Sequence, residues 1–455
     1  MEPLRVLITN YALVGDAGTE RYVLDLARQL LRLGHRPVVH SSQLGPVAER
    51  LRLATVPVVD DLAVLGDWVP DVLHCQHTLE TILALLHFPG TPAIYICHDW
   101  SYWLDQGPPL ERVVRYVAVD ETVRDRLELV HGVPGERIRI VPNWVDLTRF
   151  RPRGPLPSQP ARALILSNYA SPGSHLEPVR EACERLGIPL DVVGRGVGNP
   201  TDRPEDLLPH YDLVFAKAKA ALEAMAVGAA VVVCDARGLG PMVTGAEFDR
   251  LRRLNFGARS LQGRLDPEDV MAEVKRYDPA DAALVSERVR AEAGLDAAAD
   301  QLVEVYRDAI AEGARLTPDP VAEGRVLATF LRPVSERLRV GEETAWKLQV
   351  VEAERDAWDA ERRRLDVERV EFLQERDRVQ AEVDRLQGEL DRAGVERSDE
   401  RERHGVDLER TRGESDACRR ELDAVLATAT FRLRERFLAI PGVRRVVRAL
   451  VAVRK

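Results

Sequence analysis

A few side chains of this 455-residue chain have the type and placement to do chemistry. Glu223 stands inside an otherwise apolar run, Ala221-Leu222-Glu223-Ala224-Met225-Ala226-Val227. A carboxylate with such neighbours needs a partner once buried, because an unpaired charge is costly to take out of water. Its two oxygens can accept hydrogen bonds from both the 2′- and 3′-hydroxyls of a ribose, as the acidic residue of dinucleotide sites does. His98 ends the apolar run Ile94-Tyr95-Ile96-Cys97 and is followed by Asp99, so both are candidate catalytic residues, predicted at the carboxyl end of a strand, where open parallel sheets hold their ligands. An imidazole there can bond a hydroxyl or exchange a proton with it near neutral pH. His74 and His77 end a similar run, and packing and binding account for them equally. In Gly15-Asp16-Ala17-Gly18-Thr19, Gly18 heads a helical pattern. Such a glycine permits close backbone approach, and free N–H groups at a helix start attract a diphosphate; it is also the ordinary mark of a turn. Arg195, Lys217 and Lys219 lie near predicted strand ends. They are the cations available to a leaving diphosphate, which needs positive charge in the transition state.

The elements that must position these residues follow from periodicity. Short apolar runs at Leu4 to Thr9, Pro37 to His40, Asp71 to Cys75, Ala93 to Cys97, Tyr116 to Val119 and Ile138 to Val141 predict buried strands. Between the first two, Thr19 to Leu33 places Val23, Leu26, Ala27 and Leu30 on one helical face, with Thr19 as N-cap and Gly34 as stop. A Pro-rich stretch from Arg151 to Pro157 reads as a linker, and the pattern resumes with strands at Ala163 to Ser167, Leu190 to Val193, Leu213 to Ala216 and Ala229 to Cys234. A helix from about Ala220 to Val227 separates the last two. Strands alternating with helices imply parallel βαβ units, so the expected fold class is α/β, with two doubly wound Rossmann-like domains facing one cleft.

Three stretches taken in order resemble the family 4 glycosyltransferases of the GT-B fold. These are Gly15 to Arg21 with its helix; Tyr116 to Val119 through Ile138-Arg139-Ile140-Val141-Pro142-Asn143-Trp144-Val145-Asp146 to Pro152; and Asp212-Leu213-Val214-Phe215-Ala216 through Leu222-Glu223-Ala224-Met225 to Gly228. The resemblance covers about the first two-thirds of the chain and implies sugar transfer from a nucleotide-sugar donor. It implies that Glu223 holds the ribose, that His98 lies near the reacting sugar, and that the donor's anomeric configuration is retained. Asn143 and Asp146 read as structural. Two departures stand out. The segment Leu166 to Gly173 holds neither the Arg nor the Lys with which members grip the diphosphate, so Lys217 or Lys219 is the expected substitute. Phe215 occupies the place of the family's first glutamate, so contacts to the donor sugar do not carry over. No Asp-x-Asp occurs, and metal-independent transfer without a cofactor is expected.

Beyond about residue 340 the composition turns to dense Arg, Glu and Asp. At steps of seven from Val351 come Trp358, Leu365, Phe372, Val379, Leu386 and Ala393, an apolar stripe that predicts a coiled coil. Arg362, Arg369 and Arg376 weaken the companion positions before Val383 and Leu390; after a break near Gly394 to Gly405, Leu408 to Val425 resumes the spacing. A stalk shared with a second copy or a folded-back hairpin satisfies it. From Phe431 to Lys455, eight basic residues oppose the one acid Glu435, and Val443, Val446, Val447, Leu450 and Val451 share one helical face. This predicts a helix lying on an anionic membrane surface; docking on the head or a partner is the alternative.

The expected organisation is an acceptor-side domain over 1–152, a nucleotide-sugar domain over 160–315, a coiled coil over 340–427 and a basic amphipathic tail over 431–455. With 64 basic and 74 acidic residues, a net charge of −10 leaves no global field for nucleic acid, which is not an expected partner. The five cysteines are scattered singly, a reducing-compartment pattern, and Met1-Glu2-Pro3 runs straight into a strand with no export signal. The apolar run Val227 to Cys234 is too short to span a bilayer. A cytoplasmic protein, peripheral on the inner membrane face, is expected. Its partners would be a nucleotide-sugar donor, a glycan or lipid-linked acceptor and a second copy through 340–427. Two other classes use the same residues: an epimerase or hydrolase of nucleotide-sugars needing no acceptor, and a non-catalytic scaffold of the same fold.

Overall fold

The computed structural model describes residues 2–15, 18–396 and 405–439. They form two units, Met1–Arg332 and Pro333–Lys455. The first unit holds two sheets. Its larger sheet comprises β1 (Arg5–Thr9), β2 (Arg36–His40), β3 (Val58–Val59), β4 (Val72–Cys75), β5 (Ala93–Cys97), β6 (Val113–Ala118) and β7 (Ile138–Ile140). These run parallel in the order β3-β2-β1-β4-β5-β6-β7. Every residue of β4 and β5 is buried, as strands covered on both faces require, which is why they read as unbroken apolar runs. Helices α1 (Gly18–Arg32), α2 (Pro46–Leu53), α3 (Thr78–His87) and α4 (Glu121–Asp125) connect them. Helix α1 starts one residue before Thr19, so Thr19 lies inside the first turn and is not the N-cap. Gly34, at φ +84°, ends it as anticipated, in a conformation that a side chain would strain.

The smaller sheet comprises β8 (Ala163–Leu166), β9 (Leu190–Val193), β10 (Leu213–Ala216), β11 (Ala230–Asp235) and β12 (Gly238–Met242), in the order β12-β11-β10-β8-β9 with β12 antiparallel. Around it lie α5 (Leu176–Leu186), α6 (Pro204–Leu207), α7 (Ala218–Val227), α8 (Gly245–Arg253), α9 (Pro267–Val274) and α10 (Pro279–Glu292). Strand β12 was not anticipated, because Gly238-Leu239-Gly240-Pro241-Met242 has no β-branched alternation to announce it.

From the smaller sheet the chain returns to the larger one. Leu295, Leu302, Val303 and Tyr306 of α11 (Leu295–Gly313) are buried in the same core as Val6, Ile8, Val23 and Trp144. The start of α12 (Pro320–Glu396) follows it there, with Leu327 buried among Leu85, Phe88 and Val113. Glu323 receives two forks of the Arg112 guanidinium, at 2.8 and 2.9 Å, and Arg112 also donates to the carbonyls of Leu85 and Phe88. The twin doubly wound sheets are the anticipated α/β architecture; the return crossing was not anticipated.

The second unit consists of the rest of α12 and of α13 (Gly405–Ala439). Along the heptad stripe Val351 is 58% exposed, whereas Val383 and Leu386 are buried. Of the basic segment, residues 440–455 lie outside the described residues. Among the described residues no helix is long and apolar enough to cross a membrane.

Candidate active site

The carboxyl ends of β1, β4 and β5 stand side by side, and Asn10, Gln76 and His98 follow them directly. Thr9 locks two of these ends together: its hydroxyl donates to the Gln76 carbonyl at 3.0 Å and accepts the Gln76 N–H at 2.9 Å. The turn after β5 is built on buried Asp105. One carboxylate oxygen accepts the N–H groups of His98 and Asp99, both at 2.6 Å, and the other accepts the Tyr95 hydroxyl at 3.2 Å. Burial raises the Asp105 carboxyl to about 6 against the pull of those bonds. Asp99 turns its own carboxylate onto Ser101 and the Tyr102 N–H. Those bonds outweigh burial and hold it below the usual carboxylate range.

His98 is set by two neighbours. Its Nε2 lies 2.5 Å from Gln76 Oε1, and the edge of its ring meets Tyr22 of α1 at 4.7 Å between centroids. Burial first, with the neighbouring imidazoles of His77 and His74 and the Lys219 ammonium opposing a further positive charge, pushes its pKa well below the ordinary value, so the ring is neutral. A neutral ring donating Nε2–H to Gln76 carries its lone pair on Nδ1.

The facing half of the site rises from β10 and α7. A single residue, Lys217, separates the two elements, and Ala218 takes φ +48° with its N–H on the Phe256 carbonyl at 2.9 Å. So short a turn keeps Phe215 in the strand, fully buried and paired with Ile165 and Val232, so that no residue at this position reaches a sugar. One turn into α7, Glu223 is 2% exposed. Its carboxylate faces Arg21 of α1 at 3.6 Å, and among the described residues it accepts no hydrogen bond. Burial raises its pKa, while Arg21 and Lys219 oppose the rise.

Charges bridge the two sheets around this carboxylate. Asp25, one turn after Arg21, is 3% exposed and takes Lys219 at 2.8 Å and Arg149 at 3.2 Å. Arg149 also reaches Glu205 at 2.9 Å, and Arg21 donates to the Thr201 carbonyl at 3.1 Å. Lys219 lies 5.9 Å from the centre of the Trp144 ring, which stacks 4.3 Å from Tyr22. Its charge lowers the pKa values of both His98 and Glu223.

Three of the residues singled out in the sequence come together and the others do not. His98, Lys219 and Glu223 come together around the first turns of α1 and α7. Arg195, just after β9, lays its guanidinium on Gly15: a Cβ there would stand 2.1 Å from Nη2, so any larger residue at position 15 would push the arginine head aside. No described acid pairs with Arg195. Gly18 is exposed at the head of α1 with open space around it, while Asp16 and Ala17 lie outside the described residues. Lys217 turns to buried Asp235 and the Tyr169 ring, away from this group. His74 bonds the Tyr306 hydroxyl at 2.7 Å and is pushed down to about 3 by burial, which makes it part of the packing of α11.

Sequence reasoning missed Arg21, Asp25, Arg149 and Gln76. Asp25 had a signal, since it sits in Leu24-Asp25-Leu26-Ala27 as Glu223 sits among its apolar neighbours. Arg149 had none, its partner being 124 positions away. His175, fully buried with both ring nitrogens unpartnered, was missed as well. Among the described residues, no group of three or more His, Cys, Asp or Glu gathers to hold a metal ion.

Comparison with known proteins agrees with this architecture. Residues 17–149 match the family model for Glycosyltransferase Family 4. No curated protein sequence matches the chain. Among solved structures, Anabaena HepE, crystallised in complex with UDP and glucose, superposes with a TM-score of 0.50 at 13% identity, covering 66% of this chain and 99% of that one. A glycosyltransferase from Rickettsia africae gives 0.47 at 14% identity, covering 68% and 99%. A protein described as a UDP-N-acetylglucosamine 2-epimerase from Listeria monocytogenes gives 0.42 at 14%, covering 67% and 96%. The fold is GT-B.

Proposed function

We propose that this protein transfers a sugar from a nucleoside-diphosphate donor to a hydroxyl of a glycan or lipid-linked acceptor. One observation carries the reading: Lys219 of α7 meets Asp25 of α1 at 2.8 Å, Arg21 of α1 meets Glu223 of α7 at 3.6 Å, and Tyr22 of the same turn packs on His98, so an imidazole, a cation and a ribose-binding acid lie together between the two sheets. Glu223, short of hydrogen-bond donors, takes the two ribose hydroxyls. Arg195 and Lys219, with Arg149 sharing Asp25 with Lys219, supply the charge that the departing diphosphate needs, in place of the Arg and Lys that the chain lacks after β8. The bond between the sugar's anomeric carbon and the diphosphate breaks, and one to the acceptor oxygen forms. The acceptor's proton passes to the released diphosphate. His98 Nδ1 accepts a hydrogen bond from a hydroxyl of the transferred sugar and fixes its orientation. Asp99 shapes the turn that carries His98. Gly18 heads the helix that carries Arg21 and Asp25 to this group, and its free N–H groups are offered to the diphosphate.

The transfer is read as retaining and independent of metal, and a hexose is the expected cargo. The heptads of 340–427 would pair two copies, and the segment 431–455 would hold the enzyme at the inner membrane face. The experiment is product analysis by mass spectrometry with UDP-, GDP- and dTDP-sugars, with and without oligosaccharides. Acceptor-dependent gain of one sugar, lost in Glu223→Ala, supports the reading. Free sugar or an epimer without acceptor assigns the chain to the epimerase or hydrolase class; inertness toward every nucleotide assigns it to the scaffold class.

A further inference from the structure

Beyond the carboxyl ends of the first sheet's strands stand four rings, three of them exposed and the fourth, His77, buried. Tyr11 follows β1, His77 follows β4, and Trp100 and Tyr102 follow β5. Tyr11 and His77 lie 6.1 Å apart between centroids, and His77 and Tyr102 6.5 Å. Tyr11, Trp100 and Tyr102 are 38%, 46% and 40% exposed, although each is large enough to be worth burying. His77 is held in the row at φ +59° with its Nδ1 accepting the Tyr11 N–H at 3.2 Å. Such a backbone conformation is costly for a residue with a side chain and marks a position with a task.

Behind the row lie polar atoms with nothing to bond. Asn10 and Gln76, each immediately preceding a ring of the row, are fully buried, and Asn10 Oδ1 and Gln76 Nε2 have no hydrogen-bond partner. Unmet polar atoms of this kind call for a ligand or water. Gln76 also carries the bond to His98, so the row leads directly to the proposed reaction centre.

Resting on the glycosyl-transfer reading above, we propose that the aromatic row Tyr11, His77 and Tyr102, with Trp100 of the same loop beneath Arg237 as its extension, is the acceptor subsite and that its occupant is a saccharide chain. A sugar ring has an apolar face of C–H groups and a rim of hydroxyls, which matches flat rings in front of an unpartnered amide and carbonyl oxygen. An acyl chain would use the rings and leave Asn10 and Gln76 unmet. The acceptor is therefore recognised through sugars already in place, whatever carries them.

The test uses the full-length protein on a glycan array of glucose, galactose, mannose, rhamnose and N-acetylglucosamine oligomers, with phosphatidylglycerol vesicles as the lipid arm. Wild type binds a subset of the oligomers; Trp100→Ala and Tyr102→Ala bind them about tenfold more weakly, while Tyr102→Phe restores binding. Thermal shift with UDP, GDP and dTDP reports the donor side separately and is unchanged in these variants. Oligomer binding that is absent, or equal in wild type and both alanine variants, overturns the proposal, as does binding to vesicles alone. Loss of every nucleotide shift in wild type would instead refute the glycosyl-transfer reading.

Discussion

Replacing Glu223 by Gln keeps the volume of the side chain and removes its charge and one acceptor oxygen. The carboxylate is 2% exposed, 3.6 Å from Arg21 and free of hydrogen bonds among the described residues, so both its oxygens have capacity for a ligand. Hydrogen bonds to a charged group contribute about 1.5–3 kcal/mol, which predicts a loss of about 10- to 150-fold in nucleoside-diphosphate affinity. Isothermal calorimetry with the preferred nucleotide measures it. The 2′-deoxy form of the same nucleotide makes the assignment specific. Wild type should bind it more weakly by a similar factor, and Glu223→Gln should barely distinguish the two ligands, because a partner already removed cannot be lost again. An equal deoxy penalty in wild type and variant would refute the pairing of this carboxylate with the ribose, even if overall affinity fell.

Removing Glu323 by Glu323→Ala leaves Arg112 buried with only carbonyl partners and should cost about 3 kcal/mol in urea unfolding, whereas the double change Arg112→Met with Glu323→Leu should recover most of it. Tyr306→Phe strips the hydroxyl from buried His74 and should lower stability by about 1–3 kcal/mol in the same assay. Asp105 gives a pH signature. Its folded value of about 6 lies above the ordinary value of about 3.9, so between these the folded protein keeps a proton that the unfolded chain has released. Its contribution to stability therefore falls as pH rises through that window. The stability of wild type relative to Asp105→Asn should decline by about 2–3 kcal/mol from pH 4 to pH 6, and a pH-independent difference would remove Asp105 as the source.

The strands were legible because parallel strands covered on both faces must be apolar throughout: Ala93–Cys97 and Leu213–Ala216 begin and end where their patterns do. Glu223 and His98 were legible for a related reason, as polar groups where an apolar run called for none. The charge bridge was not. Arg149 and Asp25 meet across 124 positions, and no local pattern encodes that distance. Phe215 shows the limit of counting: spacing set it in the place of a sugar-binding acid, but it lies within β10, fully buried inside the sheet. The return of α11 to the first sheet was hidden too, since its apolar face would pack equally well on either.

A crystal structure with the nucleoside diphosphate that stabilises the protein most tests the central claim directly. The prediction is density in the cleft with both ribose hydroxyl oxygens at about 2.6–3.2 Å from the Glu223 carboxylate and the diphosphate toward Lys219 and Arg195. A nucleotide bound elsewhere, with Glu223 still turned to Arg21 alone, would contradict it.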